Sequence, residues 1–323
     1  MEKKNVTIKN LKGKTFTVSS NHMCKVISSG NINEIITVKI PPSPVISNYR
    51  RLDKDRCVNL KTGEIITYKK SSKRLNNHQG LRKTFSDLRR VINANFIGDH
   101  QSELHITLTY NYNEQDYTKV AKDFSRFWSR FTYHYPGCEY IRILEPQNAG
   151  RWHIHLLVKL MNGKLLYVDY DHLRDLWGLG LIHVSEMPSS DNIGAYFSAM
   201  FTDYDAFENA ECPEQNPNGW KAIVKGARFK FYPPNFRFYS CSKGIIRPKA
   251  KKMPYGEAMK LVGNSREVYT STKQIVTEDE LGNIQELNAV LYQQFNSNRT
   301  KSSEILPSVV GISDDNTNYK EKK

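Results

Sequence analysis

A chain of 323 residues, 39% apolar and 11% aromatic, has material for one or two ordinary cores, which excludes a fully disordered protein. Its 47 Lys and Arg against 33 Asp and Glu leave a formal charge of +14, so a polyanion, nucleic acid first, is the expected partner. Cys24, Cys57, Cys138, Cys212 and Cys241 lie far apart without Cys-x-x-Cys spacing, which argues against a disulfide framework or a zinc finger, and no apolar run is long enough for a bilayer, so a cytoplasmic location away from membranes is expected.

Residues 1–48 alternate short β-like runs such as EIITVKI (34–40) with polar turns and end in Pro41, Pro42 and Pro44, which predicts a small β element or a loosely attached arm. From Tyr49 to Gln79 the charge density is high, with a turn at Thr62-Gly63. The bland reading, a solvated basic hairpin, stands beside DNA contact. LRKTFSDLRRVINANF (81–96) carries Leu81, Phe85, Leu88, Ile92 and Phe96 at helical spacing. Its opposite face holds Arg82, Lys83, Arg89 and Arg90, read equally well as phosphate contacts or as a plain solvent face. LHITLTYN from 104 reads as a strand, and Asp116 can cap a helix over 117–134 whose aromatic stripe is assigned to packing.

YIRILEPQNAGRWHIHLLV (140–158) reads as two antiparallel strands around a turn rich in turn-forming residues. Strand alternation puts His153 and His155 on one side, and the reversal brings Glu145 back beside them. Two nitrogens and one oxygen around a point make a candidate divalent-metal site, although two ordinary surface histidines would show the same spacing. YDHLRDLWGLG predicts a short helix closed by glycine, and LIHVSEM a further strand whose His183 is read as structural. In SSDNIGAYFSAMF, Asp191 is the candidate N-cap of a helix with Ile193, Tyr196, Phe197, Met200 and Phe201 on one broad face, turning Tyr196 inward toward the sheet. From Lys225 to Lys252 there is no acidic residue. Cations interleaved with rings there suggest a single-strand or hairpin DNA surface, with a half-buried basic hairpin as the alternative. Arg151, Lys225, Arg228, Lys230, Arg237, Lys243 and Arg247 are the candidate DNA contacts. A further hairpin over 264–295 turns at Leu281-Gly282-Asn283, and the tail from 297 to 323 is expected to be disordered.

ITLTY (106–110), LEPQNAGRWHIHLLV (144–158) and DNIGAYFSAMFTD (191–203) together resemble the HUH endonucleases, most nearly the initiators of rolling-circle replication of plasmids and phages. A weaker likeness extends through residues 49–64 and 226–234. The resemblance implies a cation, Mg²⁺ or Mn²⁺, held by Glu145, His153 and His155, and Tyr196 as the nucleophile that leaves a 5′-phosphotyrosine and a free 3′ hydroxyl. It also implies single-stranded or hairpin origin DNA as substrate. Ala199 and Met200 depart from relatives that carry a lysine or a second tyrosine there, which puts shared roles between paired tyrosines in doubt, and Tyr204 is only a fallback.

The expected fold is α+β, a central antiparallel sheet with helices on one face, RRM-like as in that family, with β-rich extensions at both ends. Its expected parts are an N-terminal extension (1–100), a nuclease core (101–205), a basic β-rich DNA-binding region (206–296) and the tail. No phosphate loop of the form G-x-x-x-x-G-K-[ST] is present, so strand separation is expected from a host helicase and synthesis from a polymerase. A non-catalytic basic DNA-binding protein of a mobile element, a relaxase or transposase-type nuclease, and a metal-dependent small-molecule hydrolase are the competing readings.

Overall fold

The computed structural model describes residues 5–9, 15–41, 48–68, 78–147, 150–188, 190–201, 231–233, 236–278 and 284–300. The protein is α+β with antiparallel sheets, as the patterning predicts. At its centre β8 (Glu103–Thr109), β9 (Cys138–Pro146), β10 (Trp152–Leu160), β11 (Ile182–Glu186) and β12 (Tyr239–Cys241) form a five-stranded sheet in the order β11-β8-β10-β9-β12. Both strands of the 140–158 hairpin are therefore interior. A side chain placed on their face is held by neighbours on either side, which is why the site's geometry is set here and not in a loop.

The two faces have different coverings. Ile154, Leu156 and Val158 of β10 point with Ile106, Leu108 and Leu144 toward α2 (Tyr117–His134) and α3 (Tyr170–Trp177), meeting Val120, Phe124, Phe127, Phe131, Leu173 and Trp177. Asp116 caps α2 by accepting from Thr118 N, and Gly178 ends α3 at φ 63°, a conformation that favours glycine. The opposite face carries Ile141, Ile143 and Leu157. It packs against Leu88, Val91, Ile92 and Phe96 of α1 (His78–Asn95) and against Ile193 and Phe197 of α4 (Ile193–Phe201). The expectation of helices on one face is thus corrected: Leu157, Ile141 and Ile143 make the second face apolar along half its length, and an apolar strip there needs its own cover.

The chain ends unite in a second sheet, β13-β3-β4-β15-β14, formed by β3 (Met23–Ser29), β4 (Ile32–Val38), β13 (Lys251–Pro254), β14 (Ser265–Glu278) and β15 (Ile284–Thr300). The helix α5 (Tyr255–Val262) closes its core through Tyr255, Ala258 and Val262 against Val26, Ile35, Leu291 and Phe295. A two-stranded ladder of β1 (Asn5–Lys9) and β2 (Thr15–Ser19) adds Phe16 and Val18 to the same core. The EIITVKI run is therefore no loose arm: β4 is the central strand, and its pairing with β15 joins segments that a linear division at residues 100 and 205 keeps apart. The 264–295 hairpin forms as predicted, while its turn at 281–283 lies outside the described residues. Residues 49–67 form a separate three-stranded sheet of β5 (Tyr49–Arg51), β6 (Arg56–Asn59) and β7 (Ile65–Thr67), with Gly63 at φ 73° in the predicted turn.

Between the sheets α1 is a shared wall, and its polar side faces inward. Arg90 donates to Glu34 Oε2 from Nε at 2.9 Å and Nη2 at 2.6 Å and also meets Asp87 at 3.2 Å, while Arg89 lies 3.9 Å from Glu34. Glu34 is 1% exposed. Neither the phosphate-contact nor the solvent-face reading of Arg89 and Arg90 survives, because a buried carboxylate on β4 claims both cations; Arg82 and Lys83 remain exposed.

Candidate active site on the histidine face

Register sets the site out in rows. Thr109, His153 and Glu145 lie opposite one another across β8, β10 and β9. Beside them runs the row His183, Thr107, His155 and Ile143, and then Ser185, His105, Leu157 and Ile141. All these residues share the sheet face that α1 and α4 partly cover. The sequence-predicted residues Glu145, His153 and His155 are thus brought together, as alternation requires.

His155 is the hub of this cluster. Its Nε2 stands 2.9 Å from Glu145 Oε2, and its Nδ1 lies 3.3 Å from Thr107 Oγ1 and 3.4 Å from His105 Nε2. His105 in turn places Nδ1 3.2 Å from Ser185 Oγ. The two ring nitrogens of His155 therefore face different partners. A proton on Nδ1 donated toward Thr107 or His105 leaves the Nε2 lone pair free for a ligand, and a proton on Nε2 ties it to Glu145. His153 lies 6.4 Å from His155 between ring centroids, with planes 28° apart, and its buried Nε2 has no hydrogen-bond partner among the described residues.

Burial keeps these imidazoles neutral. It pushes His153 down to about 4, with smaller pushes from His155 and Arg151, and alone takes His155 to about 4; burial, then His155 and His183, takes His105 to about 3. Neutral imidazoles beside a carboxylate are the donor set that a divalent cation takes from protein. Among the described residues, no group of three or more His, Cys, Asp or Glu side chains is already assembled around a point that would hold a metal ion. Glu145 Oε2 sits on His155 Nε2 at hydrogen-bond distance instead of sharing an ion with it.

The helix α4 lies over the end of this face. Phe197 is fully buried, its ring edge-on to His105 with centroids 5.1 Å apart. Tyr196 is 52% exposed, its ring 5.3 Å from that of Phe197. The expectation that Tyr196 turns inward is corrected: Ile193 and Phe197 are four apart and share the buried stripe, while consecutive helical residues diverge by about 100°, which turns Tyr196 toward solvent. The capping assignment changes too. Asn192 accepts from Ala195 N at 3.1 Å, and Asp191 is paired with Arg299 at 2.5 Å. The side chains of Ala199, Met200 and Phe201, and all of Tyr204, lie outside the described residues.

The candidate DNA contacts divide. Arg151 is tied inward, donating from Nε to Gln147 Oε1 at 2.8 Å and from Nη1 to Tyr110 O at 3.4 Å, so it braces the β9–β10 turn. Arg237, Lys243 and Arg247 are exposed, while Lys225, Arg228 and Lys230 lie outside the described residues. The rings read as a base-stacking surface are another correction. Tyr232, Phe236 and Phe238 are 8%, 6% and 2% exposed and pack in the central core, Phe236 stacked on Trp152 at 5.1 Å, because the α2-side face needs cover beside β12. Sequence reading missed His105, Thr107 and Ser185. The alternation of His105, Thr107 and Thr109 in LHITLTYN was the available signal, since it puts three polar groups on the face of the His pair.

Residues 103–204 match the family model of the replication-associated protein of the ORF2 type. The match starts at β8 and runs past α4, so it contains every residue of the histidine face described above except those of β12. It supports a role for this replication-associated core in DNA replication, with DNA as the partner. No curated protein and no solved structure matches the chain. Among the described residues, no helix is long and apolar enough to cross a membrane.

Proposed function

We propose that the chain is a metal-dependent, site-specific single-strand DNA endonuclease and ligase that initiates rolling-circle replication through a 5′-phosphotyrosine. The observation that carries this reading is the packing of α4 on the histidine face through Phe197 and His105, which leaves Tyr196 accessible beside a neutral imidazole pair and a carboxylate. The orphaned Nε2 of His153 fits the same reading, since a buried polar atom without a partner is suited to a ligand. Glu145, His153 and His155 are the residues that would hold Mg²⁺ or Mn²⁺, which supplies Lewis-acid polarisation of a nonbridging phosphate oxygen.

The protein's own steps follow from the chemistry of a phenol. Tyr196 Oη forms a bond to phosphorus as its proton leaves to water, the bond from phosphorus to the 3′ oxygen breaks, and that oxygen takes up a proton. One phosphodiester replaces another, so a 3′ hydroxyl can reverse the reaction without ATP. Strand separation falls to a host helicase and extension of the 3′ end to a polymerase.

Incubation of an origin oligonucleotide with Mn²⁺ or Mg²⁺ tests the proposal. A covalent protein–DNA adduct is expected from the parent chain and none from Tyr196→Phe; an undiminished adduct in that variant rules the proposal out. His153→Ala should abolish cleavage while leaving oligonucleotide binding within a few-fold. The direct contact between Glu145 and His155 favours one alternative, a non-catalytic DNA-binding protein, for which binding would be indifferent to EDTA and no metal would support scission.

A further inference from the structure

We infer that residues 243–252, with Lys25, form a rigid phosphate-binding strap for double-stranded DNA, separate from the histidine face. The strap runs from β12 at the edge of the central sheet to β13 at the edge of the terminal sheet. Its backbone is held at successive points. Tyr140 N donates to Ser242 Oγ at 2.7 Å and Gly244 N to Glu139 Oε2 at 3.1 Å, and Asn95 takes both backbone groups of Ile246 at 2.8 Å. Ile245 is buried in the core under α1, and a Cβ at Gly244 would meet Glu139 Oε1 at 2.5 Å. The segment is an anchored element and not a tether.

The strap's charges all point outward. Lys243, Arg247, Lys249, Lys251 and Lys252 are exposed, as is Lys25 on β3, and none of these cations makes an ion pair among the described residues. Lys252 lies directly opposite Lys25 across the β13–β3 ladder. Like charges facing each other across strands destabilise a sheet, and a backbone pinned this firmly cannot swing them apart. A polyanion relieves that repulsion and meets cations already in place. A groove of about 530 Å³ beside the strap, between α1 and β12, adds Arg237 and the far side of Arg247; its one carboxylate, Asp87, is engaged by Arg90.

The occupant is duplex because the strap offers phosphates a partner and bases none. Binding of unpaired strands uses exposed rings on which bases stack, yet Tyr232, Phe236 and Phe238 just upstream are buried and the strap itself contains no aromatic residue. Cations alone read the backbone regardless of sequence, the pattern of duplex contact through phosphates. This inference rests on DNA being the substrate of the proposed reaction, but it requires no cleavage.

The test is fluorescence anisotropy of the full chain in EDTA, using a labelled hairpin duplex of arbitrary sequence and a thymidine homopolymer of equal length. In Lys249→Gln/Lys251→Gln/Lys252→Gln, duplex affinity should fall about tenfold and the slope of log affinity against log salt by about 2 to 3, with single-strand affinity unchanged. The corresponding triple Arg variant should bind duplex like the parent. An unchanged duplex slope in the Gln variant, equal losses for duplex and single strand, or an Arg variant as weak as the Gln one would each overturn the strap. Failure of Tyr196 to form an adduct would strike the nickase reading and leave these duplex measurements standing.

Discussion

At the scale of single residues, the protein sets its histidines by burial. His105 and His155 are 8% and 7% exposed, and each resists protonation in the fold while accepting it freely when unfolded. Below pH 6.5 the unfolded chain therefore binds protons that the native state refuses, so stability is full above that pH and is lost as pH falls toward about 4. The limiting slope is about 1.4 kcal/mol per pH unit for each such histidine. Urea midpoints in EDTA at pH 7.5, 6 and 5 should decline in that order, and His105→Gln should flatten the curve; a pH-independent midpoint would mean the imidazoles are charged inside. Glu34 illustrates the complementary case, a buried charge that survives by being paired. Arg90→Met should cost about 3 kcal/mol, seen as a lowered melting temperature, and adding Glu34→Gln should recover much of it, since the orphaned carboxylate causes most of the loss. The thiols of Cys24, Cys138 and Cys241 are each pushed up to about 11 by burial, so native protein should resist alkylation at those positions.

At the scale of elements, α4 is clasped from two directions. Gly194 N donates to Asn93 Oδ1 at 2.6 Å, and a Cβ at Gly194 would meet Arg89 O at 2.2 Å, so α1 and α4 cross at a point where only glycine fits. On the other side Asn31 donates to Asp191 O at 2.6 Å, and Arg299 pairs with the Asp191 carboxylate. Gly194→Ala should destabilise the protein by about 1 to 3 kcal/mol and reduce adduct yield, because the helix carrying Tyr196 must move off α1. Arg299→Ala, removing a half-exposed pair, should cost under about 1 kcal/mol. Equal melting temperatures for Gly194→Ala and parent would refute the crossing as a constraint. Element by element, helical and strand periodicity made α1, α2, α3, β8, β10 and β11 legible. The α4 cap was misassigned because Asp191 and Asn192 are both good capping residues, and which one caps depends on the partner that Arg299 on β15 supplies.

At the scale of the whole molecule, both chain ends are structural parts of the fold. β4 is held between β3 and β15, whose partners lie more than two hundred residues apart in sequence, so the terminal sheet closes only after the central sheet has brought its ends near. A fragment of residues 78–250 would keep the central sheet but leave Arg89 and Arg90 without Glu34 and α1 without its second wall. That fragment should be cut by protease faster than the full chain under native conditions, first within α1; equal resistance would show that the two sheets are energetically independent.

Strand alternation in 140–158 was enough to bring Glu145, His153 and His155 to one face, since a side chain's side is a local property with a period of two. The charge of +14 was likewise readable as a preference for a polyanion. Which residues join that face from elsewhere, His105 and Ser185 across the sheet and Phe197 from above, depended on register between strands distant in sequence. So did the fate of the basic and aromatic residues: the same alternation of cations and rings describes a stacking surface or a core edge. Only the exposed apolar flank beside β12 decided that the rings go inside and the cations stay out.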